Sequence, residues 1–447
     1  MNNYQHGRHA APLVLTCRTG HYQALTDADV WAHDAALVTI DPVSSAKARE
    51  FIESRVNNPA RWQTVLSTID HHPGGPLAVG LSTPWRLSLA TTVYEQRDPD
   101  SSYSRDPADL IRVAATSNHA LREHLLTHFI TATIAARAAQ SDKPAPYTAG
   151  QTHRWLAILA RYLHNNAATG RVFDGVPLSG TDLVLHQLWP LVGIHRVRGI
   201  VLAATALIWL IATPILLIHN GTGLSTGQIA GFAVPGIGFF GWTCLIWNTV
   251  GLPPNRIHTR QLRTQKGRRT LAISLVSGLI AGLVGGLELE LQVRLAVGLA
   301  AGITFGLGFW IWLSNERKDR QEHDAASITW DPREIIKHDL VAGLVIGLSI
   351  GLSVGLVAGL TYGLAVALTW GLAVALTFGE VGVRYLALLL CTRGWFGTPE
   401  LPWRLGRFLH WCYHAGLIRQ AGIGYQFRHR ELQNHLANKP ATSTVSG

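Results

Sequence analysis

The chain has 447 residues, of which 47% are hydrophobic and only 15% charged, values that are high and low for a wholly soluble protein. The formal net charge is +10 and the pI about 9.7, but the basic residues are scattered or sit in loops beside apolar spans. That is the pattern of the positive-inside rule rather than of a nucleic-acid face, so nucleic acid is not an expected partner. Cys17, Cys244, Cys391 and Cys412 show no CxxC or Cys/His spacing, which points to reduced, cytosolic soluble parts and to no metal cluster. The first thirty residues hold no apolar core behind a basic start, so a cleavable signal peptide is not expected.

Residues 12–19, PLVLTCRT, read as a short buried strand ending in an arginine, as at the C-terminal edge of a parallel sheet. Residues 38–40 read as a second short strand. The patterns then turn helical, over 44–56, 62–69 and 77–94, with two longer helices near 119–139 and 152–164. A strand followed by several helices suggests the tail of an α/β domain (1–100) leading into a helical domain (101–195).

Residues 199–379 read as membrane. The stretches 199–218, 229–252, 271–287 and 295–313 are each uncharged and about long enough to cross a hydrocarbon core of ~30 Å. Residues 340–379 carry no charge at all and would be about 60 Å long as one helix. Two spans, 340–359 and 361–379, are therefore expected, with a turn near Leu360–Gly363, making six in all. The loop 253–270 carries Arg256, Arg260, Arg263, Lys266, Arg268 and Arg269 with no acid, and the loop after the fourth span is also basic. The intervening loops are uncharged or acidic, which places the protein in the inner membrane as a multi-pass chain with both termini cytoplasmic.

Glycine recurs every fourth residue in these spans: Gly298, Gly302 and Gly306, then Gly343, Gly347, Gly351 and Gly355. Such spacing lets helix backbones approach closely in lipid. It suits a packed hairpin bundle; the same stripes would also serve a homo-oligomer, a protein partner or a pore. Glu288, Glu290, Arg294, Glu380 and Arg384 all fall at expected span ends, so active transport, which places ionisable groups within spans, is disfavoured.

The runs LVLTCRTGHY, ARWQTVLSTI, PLAVGLSTPWRLSLATTVY and RWLAILARYL, followed by the terminal LPWRLGRFLHWCYHAGLIRQAGIGYQFRHRELQNHLA, resemble actinobacterial NACHT-type (STAND) signal-transduction NTPases, some of which carry glycine-leucine-rich membrane segments. The resemblance covers about residues 10–195 and 399–437. It implies a partial α/β NTPase remnant with a helical domain and a winged-helix-like segment at 395–437; with the six-helix all-α transmembrane bundle read from hydropathy and a disordered tail over 438–447, the expected fold class is mixed. It further implies that Arg18 reads a γ-phosphate, that Pro84 lies against an adenine, and that His429 of the Phe427-Arg428-His429 motif contacts phosphates.

Each of the three also has a plain structural role: Arg18 at a strand end, Pro84 as the first helical residue after a Thr83 cap, His429 beside Phe427 and Gln433. No Gly-x-x-x-x-Gly-Lys-(Ser/Thr) loop occurs in the chain, nor an apolar strand ending in acids upstream of Leu13. Hydrolysis needs those parts for positioning and charge neutralisation, so no catalytic residue is assigned. ATP or ADP binding is expected to be millimolar at best, on the order of −4 kcal/mol. The resulting expectation is a membrane signalling or regulatory protein derived from a nucleotide switch. A channel or pore-forming effector, and an ATPase whose phosphate loop precedes Met1, stay open as alternatives.

Overall fold

The computed structural model describes residues 16–17, 19–29, 36–98, 100–140, 144–173, 175–219, 331–358, 363–393 and 400–439, with scattered helical positions between 265 and 302. It is mostly helical with two small sheets and divides into two compact units, residues 1–132 and 133–447.

The first unit contains α1 (Thr19–Asp27), α2 (Ser45–Arg55), α3 (Gln63–His71), α4 (Pro76–Gly80), α5 (Pro84–Tyr94), α6 (Asp109–Thr116) and most of α7 (Asn118–Ala139). Local chemistry sets its boundaries. Ser44 Oγ accepts the Lys47 N–H to start α2, and Thr83 Oγ1 accepts the Arg86 N–H at 3.3 Å ahead of Pro84. The expected single helix over 77–94 is two helices, because Pro84 cannot continue α4 and instead opens α5. Ile52, Trp62, Val65, Leu66, Leu87, Leu89, Val93, Tyr94, Leu110, Leu121 and Leu125 form its core. Two polar groups at the edge of that core are paired: Trp62 Nε1 donates to Glu95 Oε1 at 3.0 Å, and Tyr94 Oη pairs with His124 Nε2 at 3.0 Å.

The α/β character expected of this unit does not appear among its described residues. Residues 38–40 form no strand, and Val38 and Ile40 are 81% and 91% exposed, since no neighbouring strand satisfies their backbone. Thr16 and Cys17 are likewise not in a strand, and Thr19 already begins α1. Residues 1–15, with the expected strand start, lie outside the described residues.

The second unit begins with the end of α7 and α8 (Ala149–Thr169). A reciprocal Thr148–Gln151 capping box opens α8 and Gly170, left-handed at φ +56, closes it. A small hairpin, β1 (Val172–Phe173) with β2 (Val176–Pro177), precedes β3 (Asp182–Leu183). Two 3₁₀ turns, Leu185–Gln187 and Trp189–Val192, lead into the long apolar helix α9 (Ile194–His219). Later come α10 (Pro332–Ala358), α11 (Gly363–Phe378) and α12 (Glu380–Cys391). The chain closes with α13 (Leu405–His414), the hairpin β4 (Ile418–Ala421) and β5 (Gly424–Phe427), and α14 (Arg430–Asn438).

Two of these helices, over Ile194–Ile211 and Pro332–Leu352, are long and apolar enough to cross a membrane. The pair Ala367–Phe378 and Glu380–Cys391 makes a third span if counted as one, bent by 87°. The described residues therefore hold two or three such helices rather than a six-helix bundle. The expected spans 229–252, 271–287 and 295–313 lie outside them apart from scattered positions. Buried hydroxyls in the apolar helices bond back into their own helix, Thr205 to the Val201 carbonyl at 2.9 Å and Thr377 to that of Ala373 at 3.1 Å, so they leave no polar atom bare.

Helices α10 and α11 form an antiparallel hairpin that consumes the glycine stripe. A β-carbon on Gly343 would stand 2.5 Å from the Gly379 nitrogen, and one on Gly347 would stand 2.7 Å from the Ala375 nitrogen. One on Gly351 would meet the Ala367 carbonyl oxygen and lie 2.6 Å from the Gly371 Cα. Leu344, Leu348 and Leu352, one residue on, point outward and are about half exposed. At Gly302, a β-carbon would lie 3.1 Å from the Leu279 Cα, again a close helix approach. Gly298 and Gly306 lie outside the described residues, as does the packing of Gly355.

Candidate functional site

Strand β3 is two residues long and would be unstable alone. It is held because β5 pairs with it antiparallel, Asp182 opposite Gln426 and Leu183 opposite Tyr425, while β4 covers the other edge of β5, giving the order β3-β5-β4. Gly422, at φ +56, takes the first position of the two-residue β4–β5 turn, where primed turns require positive φ. Residues on either side of the long apolar block thus share one sheet.

Side chains reinforce this seam. Gln426 Nε2 donates to Asp182 Oδ1, whose other oxygen accepts the Ser179 hydroxyl at 2.9 Å. Gln433 of α14 donates to the Gly180 carbonyl at 2.9 Å. Tyr147, Trp155, Phe408 and Trp411 stack edge to face, with Trp155 and Phe408 centroids 5.0 Å apart. The Arg154–Glu400 pair at 2.7 Å also crosses the seam, but half-exposed as it is it contributes little.

The seam connects to the apolar helices through a second feature, the joint between α11 and α12. Gly379 is the N-cap of α12 and has no side chain to cap it. Asp339 of α10 takes that role instead, its Oδ2 accepting the Gly382 N–H at 2.8 Å. Glu380 forms an ion pair with Arg384 one turn on, and the Arg384 guanidinium lies 4.8 Å from the centroid of Trp189. Tyr385 Oη accepts the Gly406 N–H at 3.2 Å, tying α12 to the start of α13. Asp339, Glu380 and Arg384 are 1%, 4% and 3% exposed. Glu380 and Arg384 thus follow the end of α11, where a span end is expected, and with Asp339 they are interior groups of a packed joint. Glu380 Oε2 makes no hydrogen bond among the described residues.

The three nucleotide-contact candidates fare differently. Arg18 lies outside the described residues. Pro84, in the first unit, occupies the first turn of α5 behind its Thr83 cap, the ordinary structural place for proline. His429, in the second unit, is the N-cap residue of α14 and follows the buried Phe427. Burial, and then the neighbouring Arg428, hold its imidazole below the usual histidine range, and a neutral ring is a weaker phosphate partner than an imidazolium. Tyr425, on β5, is pushed upward by burial, so its hydroxyl stays protonated. No group of three or more His, Cys, Asp or Glu suited to a metal ion occurs among the described residues.

Comparison with protein-family models, with curated proteins and with solved structures finds no match to this chain.

Proposed function

We propose that this chain is a membrane signalling or regulatory protein derived from a NACHT-type nucleotide switch, in which a small cytoplasmic module holds the packing of the membrane helices. The β3–β5 pairing carries the reading: it joins residues 182–183 to residues 425–426 across a block of apolar helices. The order α13, hairpin, α14, with β3 as a third strand, suits the winged-helix-like part of such a switch. The membrane block is then an insertion within that module.

The chain leaves the module at α9 and meets it again at both ends of the α10–α11 hairpin, where Asp339 caps α12. Without a phosphate-binding loop in this sequence, the action proposed is regulated helix packing rather than ATP hydrolysis.

The glycine stripe bears on the pore alternative. Gly343, Gly347 and Gly351 are filled by the chain's own α11, which favours a packed hairpin over a self-associating face. A maleimide experiment tests coupling from the module to the membrane. Asp182→Ala with Gln433→Ala removes two seam ties; the expected result is several-fold faster labelling of Cys391, buried in α12, read by mass spectrometry on protein in vesicles. Faster labelling of Cys412 in α13 with Cys391 unchanged would show that the module loosens without reaching the membrane helices.

A further inference from the structure

Helix α13 carries His410 and His414 four residues apart, so both rings lie on one face, a turn from each other. Their Nε2 atoms are 3.1 Å apart, and the ring centroids are 4.5 Å apart with planes at 81°. His414 is exposed and His410 half-buried. Neither side chain takes part in the seam or the joint.

One imidazole donating its Nε2–H to the other accounts for the approach of the two nitrogens, and the same approach is what a chelated ion requires. Two bonds of about 2.0–2.1 Å hold their nitrogens about 3.3–3.4 Å apart at a tetrahedral angle, and about 2.9 Å apart at a square-planar one. The observed separation of 3.1 Å falls between those limits. We propose that His410 and His414 form a two-imidazole site for a transition-metal ion of the zinc, nickel and copper class, bound through both Nε2 atoms with water completing its shell. The ring that donates its Nε2–H shifts that proton to Nδ1, so two neutral rings bind the ion with no net proton release.

The surroundings define the class of ion. The charged groups facing His410 are His414, Arg333 and Asp331, and the Asp331 carboxylate is engaged by Arg333 at 2.6 Å. With imidazole nitrogens and, among the described residues, no carboxylate facing it other than the Arg333-bound Asp331, the site suits borderline metals and not calcium or magnesium, which take oxygen ligands. Asp331 also accepts the Arg333 N–H at 3.0 Å just ahead of α10, so the bound ion would sit where the module meets an apolar helix.

The test uses the full chain in detergent, without a polyhistidine tag, titrated calorimetrically with Zn²⁺ as wild type, His414→Ala and His410→Gln. His414 ends α13 at an exposed position, so its variant keeps the fold, checked by circular dichroism. The expected result is one site per chain above the background of the other histidines, weakened about tenfold or more in each variant. Saturating Ni²⁺ should raise the thermal midpoint of the wild type only, and Ca²⁺ should not. Equal zinc affinity and stoichiometry in all three proteins, or a wild type with no site above background, would overturn the assignment.

Discussion

Replacing Gly351 by leucine should collapse the α10–α11 hairpin, lowering stability by at least about 3 kcal/mol, the upper end of the usual cost of overpacking. The magnitude follows from what the side chain would meet. The nearest atoms are the Ala367 carbonyl oxygen and the backbone of Gly371, which cannot rotate aside as the tip of a side chain can. Relief would require the two helices to separate along their length, and in lipid that forfeits the close packing that drives association. Gly347→Leu, facing Gly371 and Ala375, should behave alike. Leu348→Ala, at an outward position, should be nearly neutral. Thermal or detergent unfolding of the purified variants distinguishes these outcomes; a Gly351→Leu protein as stable as Leu348→Ala would contradict the hairpin.

Arg384→Leu should cost about 3–5 kcal/mol, the penalty for removing one partner of a buried ion pair. Its removal leaves Glu380 in the interior without its ion-pair partner and takes the cation from the face of Trp189. Adding Glu380→Gln to the same chain should recover most of that loss, because what destabilises the single variant is the uncompensated carboxylate and not the missing attraction. A double-mutant cycle by chemical unfolding measures this. Additive losses from the two substitutions would show that the pair acts independently and would place both side chains in contact with water.

Much of the helical scaffold is legible in the sequence. Ser44, Thr83 and Thr148 are cap residues standing before periodic apolar runs, and the helices start just after them. The glycine spacing likewise announces close helix packing, although it does not say whether the partner is another copy or the same chain. That depended on Gly371, Ala375 and Gly379 falling opposite the stripe in an antiparallel hairpin. Glu380 and Arg384 follow the end of α11, where hydropathy puts a span end, but their burial is not legible in the sequence because it depends on an 87° bend and a cap donated by Asp339. Strand β3 was illegible altogether. Two residues carry no periodicity, and their partner lies more than two hundred positions away. The strand expected at residues 38–40 had favourable composition but no neighbour to pair with among the described residues, and β-propensity without a partner does not make a strand.

The pairing of Asp182 with Gln426 is the claim on which the rest depends, and an engineered disulfide tests it most directly. These residues are opposite each other on adjacent strands with their side chains in contact, a separation a disulfide spans without backbone movement. Asp182→Cys/Gln426→Cys protein, oxidised in native membranes and then cleaved within residues 253–270, should run as one linked species without reductant and as two fragments with it. Two fragments in both lanes, at the level of either single cysteine variant, would mean that the two halves do not close on each other and that the apolar block does not lie within one module.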